Sequence, residues 1–157
     1  MKIGVALPVL FSALLAGCAS IPKTPSALIQ TSHASESWCQ ESSVDETATQ
    51  IRGYLLKCYT PVVMNSSTYI RPGIAIDSTW QLDFLVDQSP LENGQRLTVR
   101  TAQGASQGYL LLTDVIRGEG KCRTNSRVYV MNEFWSRAIP EVRAAAHGAE
   151  AECRKPG

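Results

Sequence analysis

Histidine is almost missing from this chain, with His33 and His147 its only two. So few imidazoles leave little material for acid–base catalysis or histidine-ligated metal chemistry. Neither sign of charge is in surplus, since 15 Lys and Arg face 14 Asp and Glu. Removing residues 1–17 would take Lys2 with them and leave 14 of each sign. Nucleic-acid binding needs a basic surplus or a basic face, so no nucleic-acid partner is expected. None of the five cysteines lies at the two-to-four-residue spacing of zinc knuckles, so no metal is expected either. Long apolar runs are also lacking. The longest, Ile3 to Ala16, contains Pro8, and as a helix it would reach about 21 Å, short of the ~30 Å hydrocarbon core. No internal repeat is visible, and no motif asks for a cofactor.

The first residues read as a targeting segment. Lys2 supplies a positive start, and the apolar run after it fits a signal-peptide core better than a spanning helix. That run ends in Leu15-Ala16-Gly17-Cys18, which resembles the lipobox of bacterial lipoproteins. Small residues at 16 and 17 let the backbone enter a narrow protease site. The resemblance implies cleavage before Cys18, lipid on its thiol and an anchor in a membrane of the bacterial cell envelope. By the sorting habit of that family, Ala19 in place of aspartate implies the outer membrane, facing the periplasm. A single acyl chain binds only marginally, whereas the two or three that this class carries would make release negligible.

With Cys18 lipidated, Cys39, Cys58, Cys122 and Cys153 remain. An even number in an exported chain reads as two disulfides, with three possible connectivities. Val44, Ala48, Ile51, Leu55 and Cys58 recur at helical spacing, which puts Cys58 on the buried side of a helix near its end. The ends of such a helix lie about 20 Å apart, while the chain from Cys39 to Val44 spans at most ~17 Å. Pairing Cys39 with Cys58 would therefore be strained. The expected bridges are Cys58–Cys122 and Cys39–Cys153.

Residues 18–37 contain Pro22, Pro25 and many small polar residues, which reads as a lipidated flexible tether. One globular domain is expected over 38–153, followed by a tail at 154–157. After the first helix come strands. Thr68–Ile76 reads as one strand interrupted at Pro72-Gly73. Trp80, Leu82, Phe84 and Val86 alternate with Gln81, Asp83 and Asp87 as a half-buried strand. Asn93-Gly94 marks a tight turn into Gln95–Thr101. Tyr109–Ile116 and Arg127–Met131 are the apolar, central strands. Asn132 can cap a closing helix bearing Phe134, Trp135, Ala138, Ile139 and Val142, with Pro140 either kinking it or starting another. The order helix, about five strands, helix predicts an α+β domain, with both helices on one face of an antiparallel sheet. In element order it is similar to the helix-grip arrangement of START-like lipid-binding domains.

Two short motifs invite catalytic readings. Gly104-Ala105-Ser106-Gln107-Gly108 fits G-x-S-x-G, and Asp114 and His147 follow in hydrolase order. That elbow needs a helix after the serine, yet Tyr109 to Thr113 reads as a strand. The span 38–153 is also too short for that fold's usual doubly wound sheet, so a hairpin loop is preferred. Ser20-Ile21-Pro22-Lys23 fits S-x-x-K but lies in the expected tether, where no rigid site would form. Asp83 and Asp87 read as solvated strand residues rather than a glycosidase pair.

Positive charge gathers in Arg117-Gly118-Glu119-Gly120-Lys121-Cys122-Arg123, with Arg127 beyond. Arginine there can hold a phosphate or carboxylate bidentately, as on lipid A or peptidoglycan. Arg117, Lys121, Arg123 and Arg127 are thus the candidate contacts with an anion or partner. Three functional readings follow in order of support. The first is a non-catalytic envelope lipoprotein module that binds a partner protein or a cell-envelope component near the membrane. The second is an apolar-ligand carrier, with a cavity between sheet and last helix lined by Trp135, Phe84 and Leu111, and with Tyr69 and Tyr109 as further candidates. The weakest is a serine hydrolase using Ser106.

Overall fold

The structure is a computed structural model that describes residues 20–60, 63–71, 74–82, 84–101 and 107–153, with backbone alone over 63–71 and 74–82. The signal segment, Cys18, Ser106 and the 154–157 tail therefore lie outside the described residues. The elements are α1 (Pro25–Thr31), β1 (Ala34–Gln40), α2 (Val44–Tyr59), β2 (Val63–Arg71), β3 (Ile74–Leu82), β4 (Phe84–Leu91), β5 (Gly94–Thr101), β6 (Gly108–Arg117), β7 (Thr124–Val130), α3 (Glu133–Ser136) and α4 (Ile139–Ala146). Five strands form one antiparallel sheet in the order β1-β7-β6-β5-β4, while β2 and β3 pair as a separate hairpin. The fold is the expected α+β arrangement.

The strand register assigns each side chain to a face. Ala34, Val130, Leu111, Val99 and Val86 are Cα partners across the sheet, so they share one face. That face also carries Val128, Val115 and Leu97, all fully buried, under α2 and α4. Burying each such aliphatic side chain is worth about 1.5–3 kcal/mol. Helix α2 starts where Ser43 accepts from the Glu46 N–H, with Asp45 and Glu46 complementing the helix dipole. Thr47, Ala48, Ile51, Tyr54, Leu55 and Tyr59 then recur along its buried stripe.

Aromatic rings close this core at one end. Trp135 stacks within 5.1 Å of Tyr59 and 5.7 Å of Phe84 between ring centroids. Burial pushes the Tyr59 phenol above the ordinary tyrosine value of 10.0, against the lowering effect of a hydrogen bond with Tyr54. Folding thus favours the neutral phenol. This contribution is complete below the unfolded tyrosine pKa and is lost as pH rises through the higher folded value. The expected outcome is an alkaline fall in melting temperature that Tyr59→Phe makes shallower. Identical slopes in the two proteins would show that Tyr59 ionises as freely folded as unfolded.

The opposite face of the sheet is covered in part by α1 and is open over β4 and β5, where it carries two ion pairs. Arg96 holds Asp114 bidentately at 2.7 and 2.8 Å, and Arg100 pairs with Asp87 at 2.6 Å. Helix α1 lies against β6 and β7, and its buried Leu28 stands outside the main core, as does Leu112, which points away from Leu111's side.

Four expectations need correction. The disulfides are Cys39–Cys122 and Cys58–Cys153, with Cα separations of 5.3 and 5.1 Å, instead of the crossed pairing. The pairing of β1 with β7 sets Cys39 opposite Asn125, three residues from Cys122. The last segment runs back along α2 to Cys58, and Glu150 meets Lys57 on the way. The expected tether is not a linker over most of its length, because it contains α1 and β1. Strand β1 finds its hydrogen bonds on β7. The strand expected over 68–76 is two strands joined through Pro72-Gly73. The alternating run from Trp80 to Val86 is divided between β3 and β4, which belong to different sheets.

Turn chemistry explains two other positions. The β4–β5 turn is Glu92-Asn93, and Gly94 opens β5 with no room for a side chain, since a Cβ there would sit 2.1 Å from the Val115 carbonyl oxygen. Pro140 begins a second helix, α4, after Asn132 has capped α3 through the Trp135 N–H.

Candidate contact surface

Antiparallel pairing gathers the end of β1, the start of β7, the end of β6 and the start of β5 at one end of the sheet. The first turn of α2 and the last turn of α4 reach the same end. A buried polar seam holds these pieces together. Gln40 is 3% exposed; its amide donates to the Ala146 carbonyl at 3.0 Å and its oxygen accepts from the Ser126 hydroxyl at 2.8 Å. Thr124 donates to the Ser42 carbonyl at 2.7 Å, and the Ser42 and Thr47 hydroxyls share a bond of 2.8 Å. Such satisfied groups are costly to separate, so this end is a rigid platform.

The basic turn is the β6–β7 connection on that platform. Gly118 N–H donates to Arg123 and Cys122 N–H to Glu119, both at 3.0 Å. Gly120 takes φ 61°, the left-handed region that a residue with a Cβ disfavours. The Cys39–Cys122 bridge ties the turn to β1, and Arg117 N–H donates to Asn93 of the β4–β5 turn at 2.9 Å. Arg117, Lys121 and Arg123 are all exposed there. Arg127 is not part of this group. It stands on the open face of the sheet, directly opposite Asp114 in the register, in the same row as Arg96.

Two clefts flank the first turn of α2. One, of about 500 Å³, is lined by Gln40, Glu41, Glu46, Gln50, Lys121 and His147 among others. The other, of about 350 Å³, is lined by Asp45, Glu92, Gln95 and Arg117 among others. Each cleft therefore sets a cation of the basic turn among carboxylates. The positive patch read along the chain becomes, in space, a surface of alternating charge. Gln50 adds a buried Oε1 that has no hydrogen-bond partner among the described residues. The acidic members were missed because their nearness to the turn comes from tertiary packing. The only local signal was the Ser43-Val44-Asp45-Glu46 helix start.

The remaining candidates fall elsewhere. Ser106 lies outside the described residues, but β6 begins at Gly108, so a strand follows the motif. Asp114 is on the open face, bound by Arg96, whereas His147 ends α4 on the covered face. The sheet separates the two. Phe84 and Trp135 pack against each other and Tyr59, and Leu111 is fully buried in the same core. Tyr109 stands near the start of β6, and the side chain of Tyr69, on β2, lies outside the described residues.

These features define a disulfide-bonded α+β domain with a charged, rigid end. Comparison with protein-family models, curated proteins and solved structures finds no match.

Proposed function

We propose that this chain is a non-catalytic lipoprotein module of the bacterial cell envelope, held by lipid on Cys18 in the outer membrane and facing the periplasm. On this reading it binds a partner protein or an envelope component through the end that carries Arg117, Lys121 and Arg123. The observation that carries the proposal is the mounting of this turn. It is exposed, yet fixed by a disulfide, by a hydrogen bond to the neighbouring turn and by the Gln40 seam beneath it. A rigid contact surface loses little entropy on binding. The two disulfides fit an oxidising compartment such as the periplasm. The mixture of Lys121 and Arg117 with Glu41, Glu46, Asp45 and Glu92 suits a partner that itself presents both signs of charge.

Replacing Arg117, Lys121 and Arg123 together by alanine tests the surface. Binding to a washed envelope fraction is expected to weaken, and its dependence on salt to shrink, because exposed ionic contacts are screened over a Debye length of ~8 Å. Melting should change little, as such surface substitutions rarely cost more than ~0.5 kcal/mol each. Indistinguishable binding by variant and parent at low and high salt would remove the turn from the contact surface.

A further inference from the structure

We infer that the end of the sheet opposite the basic turn rests on the headgroup layer of the bilayer that holds Cys18, so that the basic turn points away from that membrane. The inference depends on the lipid-anchor reading and adds an orientation to it. Its basis is the distance along the chain between the anchor and the first residues gripped by the domain. Pro22 is buried, and its carbonyl accepts from the Tyr109 N–H at 2.8 Å. Lys23 donates through Nζ to the Gln107 carbonyl. Ile21 packs on the core, and it fills the space beside Gly108 so closely that a Cβ there would lie 2.2 Å from Ile21 Cγ2. The sheet therefore seizes the chain from Ile21 onward.

Three residue steps separate Cys18 from Ile21, and they span at most about 11 Å when fully extended. A flexible tether of roughly twenty residues would have a typical reach of about 25 Å and would let a small domain turn freely. The short connection does not. It holds the start of β6, the end of β5 and the Lys23–Gln107 contact within about a headgroup layer of the acyl chains. The contact is imposed by this length, and no basic patch is required for it.

The basic turn stands at the other end of the same strand. From Gly108 to Arg117, β6 rises about 30 Å. With the domain standing on its anchored end, Arg117, Lys121 and Arg123 lie about 30 Å farther from the leaflet that holds Cys18 than the start of β6 does. The occupant of the near end is thus the lipid headgroup layer, and the charged end is left for a periplasmic partner. Lipid A of the far leaflet is excluded as its ligand.

The test uses the full lipidated protein in vesicles of phosphatidylethanolamine and phosphatidylglycerol that carry an energy acceptor on their headgroups. A fluorescent amino acid is placed either at Ser26, exposed at the start of α1, or at Arg123. Transfer is expected to be severalfold stronger from position 26. Inserting about twelve Gly/Ser residues between Ala19 and Ser20 should bring the two signals together, because that linker behaves as a random coil. Vesicle flotation is scored on the same samples. Protein that floats but shows equal transfer from both positions, stronger transfer from position 123, or no response to the insertion overturns the orientation and leaves the anchor intact. Protein that carries no lipid and does not float overturns the anchor, and the orientation falls with it.

Discussion

A Cys18→Ser chain is expected to lose all labelling by a palmitate analogue and to accumulate uncleaved or misplaced, while the wild-type chain is labelled and held on the membrane. On the proposed reading the thiol is the nucleophile that would accept the diacylglycerol, and a serine hydroxyl in the same place is far less nucleophilic at neutral pH. The energetic consequence is large because acyl chains act together. Each buried methylene contributes roughly 0.8 kcal/mol, a single chain binds with a constant on the order of 10⁴ M⁻¹, and a second chain makes attachment stable. No helix among the described residues is long and apolar enough to cross a membrane. The substitution leaves residues 20–153 untouched, so melting of the purified domain provides the control for folding. Equal labelling of the serine variant and the parent would refute the lipobox reading of Leu15-Ala16-Gly17-Cys18.

How much of this fold was legible in the sequence depended on how many residues each element commits to the core. Helix α2 was plain because six side chains of its sixteen residues face one way. Strands β6 and β7 were plain because they occupy the middle of the sheet and carry Leu111, Val115, Val128 and Val130. Edge strand β1 was hidden. Its sequence, Ala-Ser-Glu-Ser-Trp-Cys-Gln, offers alternation with little apolar content, and its hydrogen-bond partner lies some ninety residues away. Helix α1 has seven residues and one buried side chain, too short for a period to emerge. The alternation runs unbroken from Trp80 to Phe84 and fails only at Leu85, so nothing local marks the change of sheet between Leu82 and Phe84.

The candidate site was legible to the same degree and for related reasons. A run of Arg, Gly, Glu, Lys and Arg between two strands identifies an exposed hairpin turn, which is where the structure places Arg117, Lys121 and Arg123. Strand parity moves Arg127 away from them, because its side chain joins the Arg96–Asp114 row on the open face. The carboxylates that balance the turn come from the first turn of α2 and from the β4–β5 turn, both distant in sequence. Only the register reveals that these meet.

Removing the Cys58–Cys153 bridge by alanine at both positions is expected to cost about 2–5 kcal/mol, with a matching loss of melting temperature, when compared with the oxidised parent. The bridge closes a sequence separation of 95 residues. The chain-entropy account gives about 4.7 kcal/mol for a loop of ~100 residues, a ceiling that relaxed denatured states reduce. Removing Cys39–Cys122, with a separation of 83, should cost nearly the same, because the dependence on loop length is logarithmic. The two variants should nevertheless differ in function. Without Cys58–Cys153 the tail loses its tie to α2, while the basic turn keeps its bridge to β1. Without Cys39–Cys122 the turn is released from β1, and envelope binding should fall by more than the shared loss of stability accounts for. Peptide mapping of the oxidised protein supplies the decisive control: fragments joining Cys39 to Cys153 or Cys58 to Cys122 would contradict the pairing on which both expectations stand. Equal binding by the two bridge variants, at equal stability, would mean that the rigidity of the turn does not contribute to partner capture.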